Sequence, residues 1–236
     1  MATALKFDSP TLEASVLNQV DGSASWKQGQ TKVIASVSGP IEVKPRDEVP
    51  TAATLDLVVR PAVGLSTTRE HLLETKIYGT FSSVILRHLH PRTLIQIVVQ
   101  VIEPGEPTKY NTLELSNAIN ATSLALVDAG IPVFGLATAV SVAILKSGKI
   151  VINPDLNALG SDSTPDPIES THTIAYEVQS NQITRLLLCE STGKFTEDQL
   201  YKVLEESAEA CLIIHKSFRR AVGDKIERDF VWKPQE

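Results

Sequence analysis

Cysteine is nearly absent: of 236 residues only Cys189 and Cys211 carry a thiol. Neither stands in a metal-ligand spacing, so a disulfide scaffold is excluded and a reducing compartment fits best. Long apolar runs are missing too. The longest, Gly130 to Leu145, is broken by Pro132, Gly135, Thr138 and Ser141, which is too short and interrupted to cross a bilayer, and no membrane partner is expected. The first residues lack the basic start and apolar core of a secretory leader. Positive charge is not in excess: the formal net charge is -6 and the pI about 5.4. A chain that bound nucleic acid over its whole surface would be basic, so any such contact must be a local patch. There is no G-x-G-x-x-G, no Walker loop and no G-x-S-x-G elbow. No short-period repeat or linker stands out, so residues 1–236 read as a single domain. What is present is a globular balance, 42% hydrophobic and 21% charged, enough for a sizeable core.

Periodicity gives the elements. Ser15 to Val20, ending at Asp21-Gly22, reads as a strand and hairpin turn leading into the alternating strand Thr31 to Val37, which Gly39-Pro40 closes. Thr54 to Arg60 is a third strand, stopped by Pro61, and the charged, proline-bearing segment Ile41 to Thr51 is a loop. Thr67 to Glu70 has a capping-box pattern and opens a helix to about His88. Leu94 to Ile102 is β-branched and mostly apolar, as a buried central strand should be. A second helix runs from Asn111 to Ala129 and stops at Gly130-Ile131-Pro132. Val133 to Leu145 with Ile150 to Ile152 makes one hairpin, and Thr173 to Val178 with Ile183 to Cys189 another through Ser180-Asn181. Asn153 to Ser170 reads as a long loop. Thr196 to Gln199 caps a third helix with an apolar stripe from Leu200 to Phe218. Strands and helices are mixed without strict alternation, which predicts an α+β sandwich.

Several residues invite chemistry and also admit plainer readings. His88-x-His90 has no cysteine or carboxylate ligand cluster beside it, so no metal is expected. Cys211 and His215 fall on the apolar stripe and read as core. Asn120-Ala121-Thr122 is a formal glycosylation sequon inside a predicted helix. Asp155, Asp162, Asp166 and Glu169 crowd one loop, either as paired carboxylates or as a solvated turn. Arg69 and Arg87 lie at the two ends of the first helix with Arg92 at the following turn. They form either one phosphate-contacting rim or an ordinary charged helix face.

The run Val20-Asp21-Gly22-Ser23-Ala24, then Gly29-Gln30-Thr31-Lys32-Val33, then Ser38-Gly39-Pro40 resembles the opening of the RNase PH family. Arg60-Pro61, Arg69-Glu70, Leu89-His90-Pro91-Arg92-Thr93, and Ala125 to Pro132 follow in that family's order, so the likeness spans about residues 15 to 220. It implies an RNase PH-like (ribosomal protein S5 domain 2-like) fold. The segments Asp21 to Ala24 and Gly39 to Lys44 are most similar to an RNase PH-like subunit of the eukaryotic RNA exosome core. That resemblance implies a hexameric ring of RNase PH-like subunits, RNA-binding cap subunits, a hydrolytic exoribonuclease and single-stranded RNA as partners. It implies rRNA processing and RNA decay in nucleus, nucleolus and cytoplasm. A homodimer in isolation is the further expectation.

Active members of that family perform phosphorolysis, and the entry to their central helix is similar to D-G-G-T-R. Here Asn111-Thr112-Leu113-Glu114-Leu115 stands in that place. Thr112, Glu114 and Leu115 therefore form a degenerate phosphate site: the glycines and arginine are gone and Glu114 repels phosphate. Glu103 to Lys109 fits no better, since two prolines remove N–H donors. No arginine occurs between Arg92 and Arg185. A charge-assisted hydrogen bond is worth about 1.5–3 kcal/mol, so the loss is severe. The acidic pattern fails as well, with Thr171 at an expected aspartate. The expectation is a subunit with no catalytic residues and no cofactor, with an active phosphate-dependent exoribonuclease as the alternative. Arg69, Arg87 and Arg92 are the candidate RNA contacts.

Overall fold

The computed structural model describes residues 10–107, 109–154 and 166–229. Two sheets sandwich a central helix. The first has the order β1-β2-β3-β5-β4, from strands β1 (Thr11–Ala14), β2 (Gly22–Gln28), β3 (Thr31–Glu42), β4 (Thr54–Arg60) and β5 (Thr93–Glu103). It is antiparallel except for the parallel pair β4 and β5, which the helix α1 (Thr68–Val84) connects. The second is a fully antiparallel sheet, β7-β6-β8-β9. Its strands are β6 (Leu136–Leu145), β7 (Ile150–Ile152), β8 (Ile168–Gln179) and β9 (Gln182–Gly193). Helix α2 (Thr112–Asp128) lies between the sheets, and α3 (Glu197–Asp229) covers β6 and β8. The α+β expectation is met.

Helix α2 is buried from Thr112 through Leu126, although six of those residues are Ser, Thr or Asn. Strand carbonyls take up several of those polar groups, as burial demands. Asn120 exchanges two 2.8 Å bonds with the Ala139 backbone of β6, so the sequon is sealed in the core. The Ser123 hydroxyl donates to Ala137 O. Small side chains let α2 press close to both sheets. At Gly22 a Cβ would lie 2.6 Å from the Ala129 Cβ and closer still to the Ala129 N and Ala125 O. Trp26 on β2 is fully buried and meets Phe218 of α3 edge to face, ring centroids 5.2 Å apart.

Three expectations of secondary structure change. Ser15 to Val20 is not a strand: Ser15 has φ 56°, and its hydroxyl donates to Asp128 Oδ1 at 2.7 Å. Asp21-Gly22 is not the hairpin turn, because Gly22 is held by the approach of α2 and Asp21 Oδ2 accepts the Gly39 N–H at 2.8 Å. The turn is Gly29-Gln30, with Gln28 opposite Thr31, and β1 precedes the whole. Helix α1 ends at Val84 rather than near His88. The Leu86 N–H donates to Pro132 O, and the Phe134 N–H to Val84 O, so the chain is drawn out of the helix into a short bridge. The Ser180-Asn181 hairpin stands as expected, both residues at positive φ, the signature of a tight turn that matches strand twist. Of the expected loop Asn153 to Ser170, residues 168–170 are strand, and residues 155–165 lie outside the described residues.

Candidate functional site

Two helix N-termini meet at the C-terminal ends of β4 and β5. The capping box that opens α1 fixes Glu70, whose Oε2 accepts from Thr67 N at 2.7 Å and from Thr67 Oγ1 at 2.6 Å. That anchors Arg69, the next residue back. At the other mouth, the arm from Glu103 to Asn111 carries the chain from β5 into α2. Gly105 in this arm crosses the β2–β3 turn so closely that a Cβ would lie 2.5 Å from Gln30 C and Thr31 N. Only glycine fits there.

This crossing turns Glu106 inward. Its carboxylate is buried and accepts the Leu113 N–H at 3.3 Å and the Glu114 N–H at 2.9 Å. Those are orphan donors of the α2 N-terminus, the groups that make a helix start an anion site. Asn111, which occupies the N-cap position, makes no side-chain cap bond. An internal carboxylate therefore fills the place where an anion would be gripped. Burial lifts the Glu106 carboxyl to about 7, with repulsion from Glu114 adding and the two N–H bonds opposing.

Arg69 faces the same spot. Its Nη2 lies 2.6 Å from Glu114 Oε2 and donates to Tyr110 O at 2.9 Å. Its Nη1 donates to Glu70 Oε1 at 3.4 Å. Burial raises the Glu114 carboxyl, partly offset by Arg69. A cleft of about 340 Å³ opens over these groups, walled by Val59, Leu73, Val101 and Pro104. Its floor holds three carboxylates, Glu70, Glu106 and Glu114, against one guanidinium.

The predicted residues Thr112, Glu114 and Leu115 all fall at this helix start. Thr112 is buried with its carbonyl accepting from Thr173 Oγ1 at 3.3 Å. Leu115 points into the core, and Glu114 faces Arg69. Sequence reasoning missed Glu106, the group that plugs the site. Its signal was a single carboxylate between two prolines, a few residues ahead of a helix without a capping side chain.

The three arginines do not share a rim. The Arg87 Nε donates to Ala53 O at 2.8 Å, and Arg92 Nε lies 3.1 Å from Glu48 Oε1. Both sit where β4 and β5 begin, whereas Arg69 sits where they end. A strand the length of β4 separates these ends by about 20 Å. The reason is that α1 is the crossover between two parallel strands: it runs back from the ends of β4 and β5 to their starts, so Arg69 in its first turn and Arg87 just past its last are held about a helix length apart.

Asp155 and Asp162 lie outside the described residues. Asp166 is bound to the Ser147 N–H at 2.9 Å and to its hydroxyl, and Glu169 is exposed. No group of three metal-ligating side chains occurs among the described residues. His172 bonds Ser170 Oγ at 2.9 Å and Ser191 Oγ at 2.8 Å. Burial pushes its pKa down to about 4, and its ring bonds go to hydroxyls. It fastens β8 to β9, where it pairs with Ser191. Burial likewise pushes the Cys211 thiol up to about 12, a packing group rather than a nucleophile.

Comparison with known proteins gives consistent results. The model of RNase PH, the 3′ exoribonuclease family, domain 1, matches residues 7–132. The chain is 40% identical over 218 residues to the exosome complex component RRP46 of Saccharomyces cerevisiae, covering 91% of this chain and 95% of that one. It is 36% identical over 190 residues to the exosome complex component rrp46 of Schizosaccharomyces pombe, covering 80% and 79%. Among solved structures, rice Rrp46 superposes with a TM-score of 0.80 at 24% identity, covering 91% of this chain and 94% of that one. The Archaeoglobus fulgidus exosome with RNA bound to the active site superposes with a TM-score of 0.70 at 16% identity, covering 90% and 89%.

Proposed function

Since this chain belongs to the RNase PH family of 3′ exoribonucleases, we propose that it is a non-phosphorolytic subunit of the RNA exosome core ring. In this reading it supports assembly and the threading of single-stranded RNA for 3′-5′ processing and decay, including rRNA processing. Its partners are other RNase PH-like subunits in a hexameric ring, RNA-binding cap subunits and a hydrolytic exoribonuclease. It works in nucleus, nucleolus and cytoplasm, and pairs with itself when isolated.

The observation that carries the loss of chemistry is the Glu106 carboxylate on the Leu113 and Glu114 N–H groups. Phosphorolysis needs inorganic phosphate held against the scissile bond by cations and N–H donors. Here the donors are already taken by a carboxylate, and the nearest guanidinium is paired with Glu114. An incoming phosphate meets carboxylates where it needs cations.

The test is direct. Purified protein, alone and in the assembled ring, is incubated with short RNA, phosphate and Mg²⁺. No nucleoside diphosphate is expected from either. Release that disappears on substituting Asp155 or Asp162 identifies the alternative, an active phosphate-dependent exoribonuclease, and overturns the reading.

A further inference from the structure

We propose that the outward face of α3 docks on the same face of a second copy of this chain, the two helices lying antiparallel about a two-fold axis between Leu212 and Ile213. The inference rests on the reading that the isolated chain pairs with itself, and it names the surface that does so.

Helix α3 is 33 residues long and buries one side, through residues such as Val203, Ala210, Ile214 and Phe218. The opposite side carries Glu205, Glu209, Lys216 and Arg220, all exposed and spaced so that they share one stripe. Their charges are sorted badly for a lone helix. Glu205 and Glu209 form a like-charged i,i+4 pair, and so do Lys216 and Arg220, an arrangement that destabilises an isolated helix. The neighbouring Glu206 feels the same crowding: burial, then repulsion from Glu209 and Glu205, raises its carboxyl against the pull of Lys202. The ion pairs of α3 are made by Lys225 and Arg228, and none among the described residues uses the four stripe charges. The helix macrodipole does not account for the sorting. Its influence fades within the first and last turns, and these residues stand in the middle of the helix.

A second copy does account for it. In an antiparallel pair related by a two-fold axis, each residue meets the one equally far beyond the axis. With the axis between Leu212 and Ile213, Glu209 faces the partner's Lys216 and Glu205 faces the partner's Arg220, each twice. Every like-charged neighbour then gains an opposite charge across the interface. The apolar residues obey the same symmetry. The exposed large apolar side chains of α3 are Tyr201, Ile213 and Ile226, at 59%, 40% and 48%. Ile213 lies at the axis, and Tyr201 and Ile226 stand twelve and thirteen residues to either side of it. Both fall on the same flank of the stripe at helical spacing. Tyr201 therefore comes over the partner's Gly223 and Ile226, and the space around Gly223 is open. Helices crossing at the shallow angle of antiparallel bundles stay in contact over the roughly 22 Å from Glu205 to Arg220. RNA is disfavoured as the occupant, because Glu205 and Glu209 would repel its phosphates over half of the stripe.

Sedimentation velocity of the full chain in low salt tests this. The parent is expected to self-associate with a Kd on the order of 10 µM, as suits an interface of one helix face, and to do so less as salt rises. Two variants make the stripe all of one sign: Glu205→Lys with Glu209→Lys, and Lys216→Glu with Arg220→Glu. Each should self-associate at least about tenfold more weakly than the parent. Mixed one to one, they should form a heterodimer at least as tight as the parent pair, since every facing pair is then opposite in charge. A misfolded variant cannot give that rescue. Homodimers that persist in both variants, or a mixture that stays monomeric where the parent pairs, overturn the α3 surface and leave self-pairing standing. RNA binding lost in the anionic variant with self-association unchanged would assign the basic half of the stripe to RNA and overturn it too. A parent chain still monomeric at about 1 mM would instead overturn the underlying reading that the chain pairs with itself, so the two failures are distinct.

Discussion

Single side chains decide the state of the site. Glu106 is the clearest. Its folded value of about 7 stands above the ordinary 4.5. Between those values the folded chain keeps a proton that the unfolded chain has released, so stability falls as pH rises through the window and the loss is complete above it. Glutamine cannot ionise. The Glu106→Gln variant should therefore gain on the parent between about pH 4.5 and pH 8, by on the order of 3 kcal/mol, in denaturant unfolding at the two pH values. A difference that stays flat with pH would show Glu106 to be ionised throughout. Gly22 is decided by space. Gly22→Ala would drive a methyl into the α2 backbone and should cost about 3 kcal/mol or more in thermal unfolding. Both positions show where sequence reading fails. Asp-Gly has the composition of a turn, and nothing local says that a distant helix crosses there. A lone glutamate between prolines gives no sign that a glycine crossing will fold it onto a helix start.

At the scale of elements, local signals that are complete in themselves were legible. The Thr67 capping box, the Ser180-Asn181 turn and the Thr196 cap, with Thr196 N donating to Gln199 Oε1 at 2.8 Å, all lie where their patterns put them. Elements set by partners were not. Helix α1 ends early because Pro132 and Phe134 capture its exit, and β1 exists only as an edge on β2. Helix α3 depends on its seat more than on propensity. Phe218 against Trp26 fastens its middle. Lys225 reaches Asp128, the same carboxylate that accepts from Ser15 Oγ and the Ser23 N–H. Burial raises that carboxyl, but the bonds from Lys225, Ser15 and Ser23 outweigh it and hold it low. Phe218→Ala should cost about 3–5 kcal/mol. Hydrogen exchange should quicken along α3 while the α2 amides stay protected. Uniform loss across both helices would mean that α3 has no separate opening.

For the whole molecule, family and fold were legible through the order of many short segments, none of them decisive alone. The arrangement of the site was not, because it depends on which ends of β4 and β5 each arginine occupies. The net charge of -6 keeps RNA affinity from being a property of the general surface. Of the candidate RNA contacts, Arg87 and Arg92 share one end of the sheet, where β4 and β5 begin, and are the pair to test together. Charge reversal at both, in the assembled ring, should weaken RNA binding several-fold at low salt. The deficit should shrink as salt rises, and the salt slope should fall by about one for each phosphate no longer neutralised. Unchanged affinity would remove them from the path of RNA.

The Glu106 carboxylate on the α2 N–H groups also bears on whether a phosphate grip could be built at this helix start. Placing arginine at Leu115 supplies the residue the helix entry lacks, but it acts on a seat already taken. The Leu115→Arg substitution alone also forces a cation into a fully buried position. On the proposed reading three obstacles stand together: N–H donors held by Glu106, a guanidinium held by Glu114, and no cation at Leu115. The obstacles are stacked, so one substitution removes only one of them. Equilibrium dialysis of phosphate against the single and triple variants would measure the weight of each.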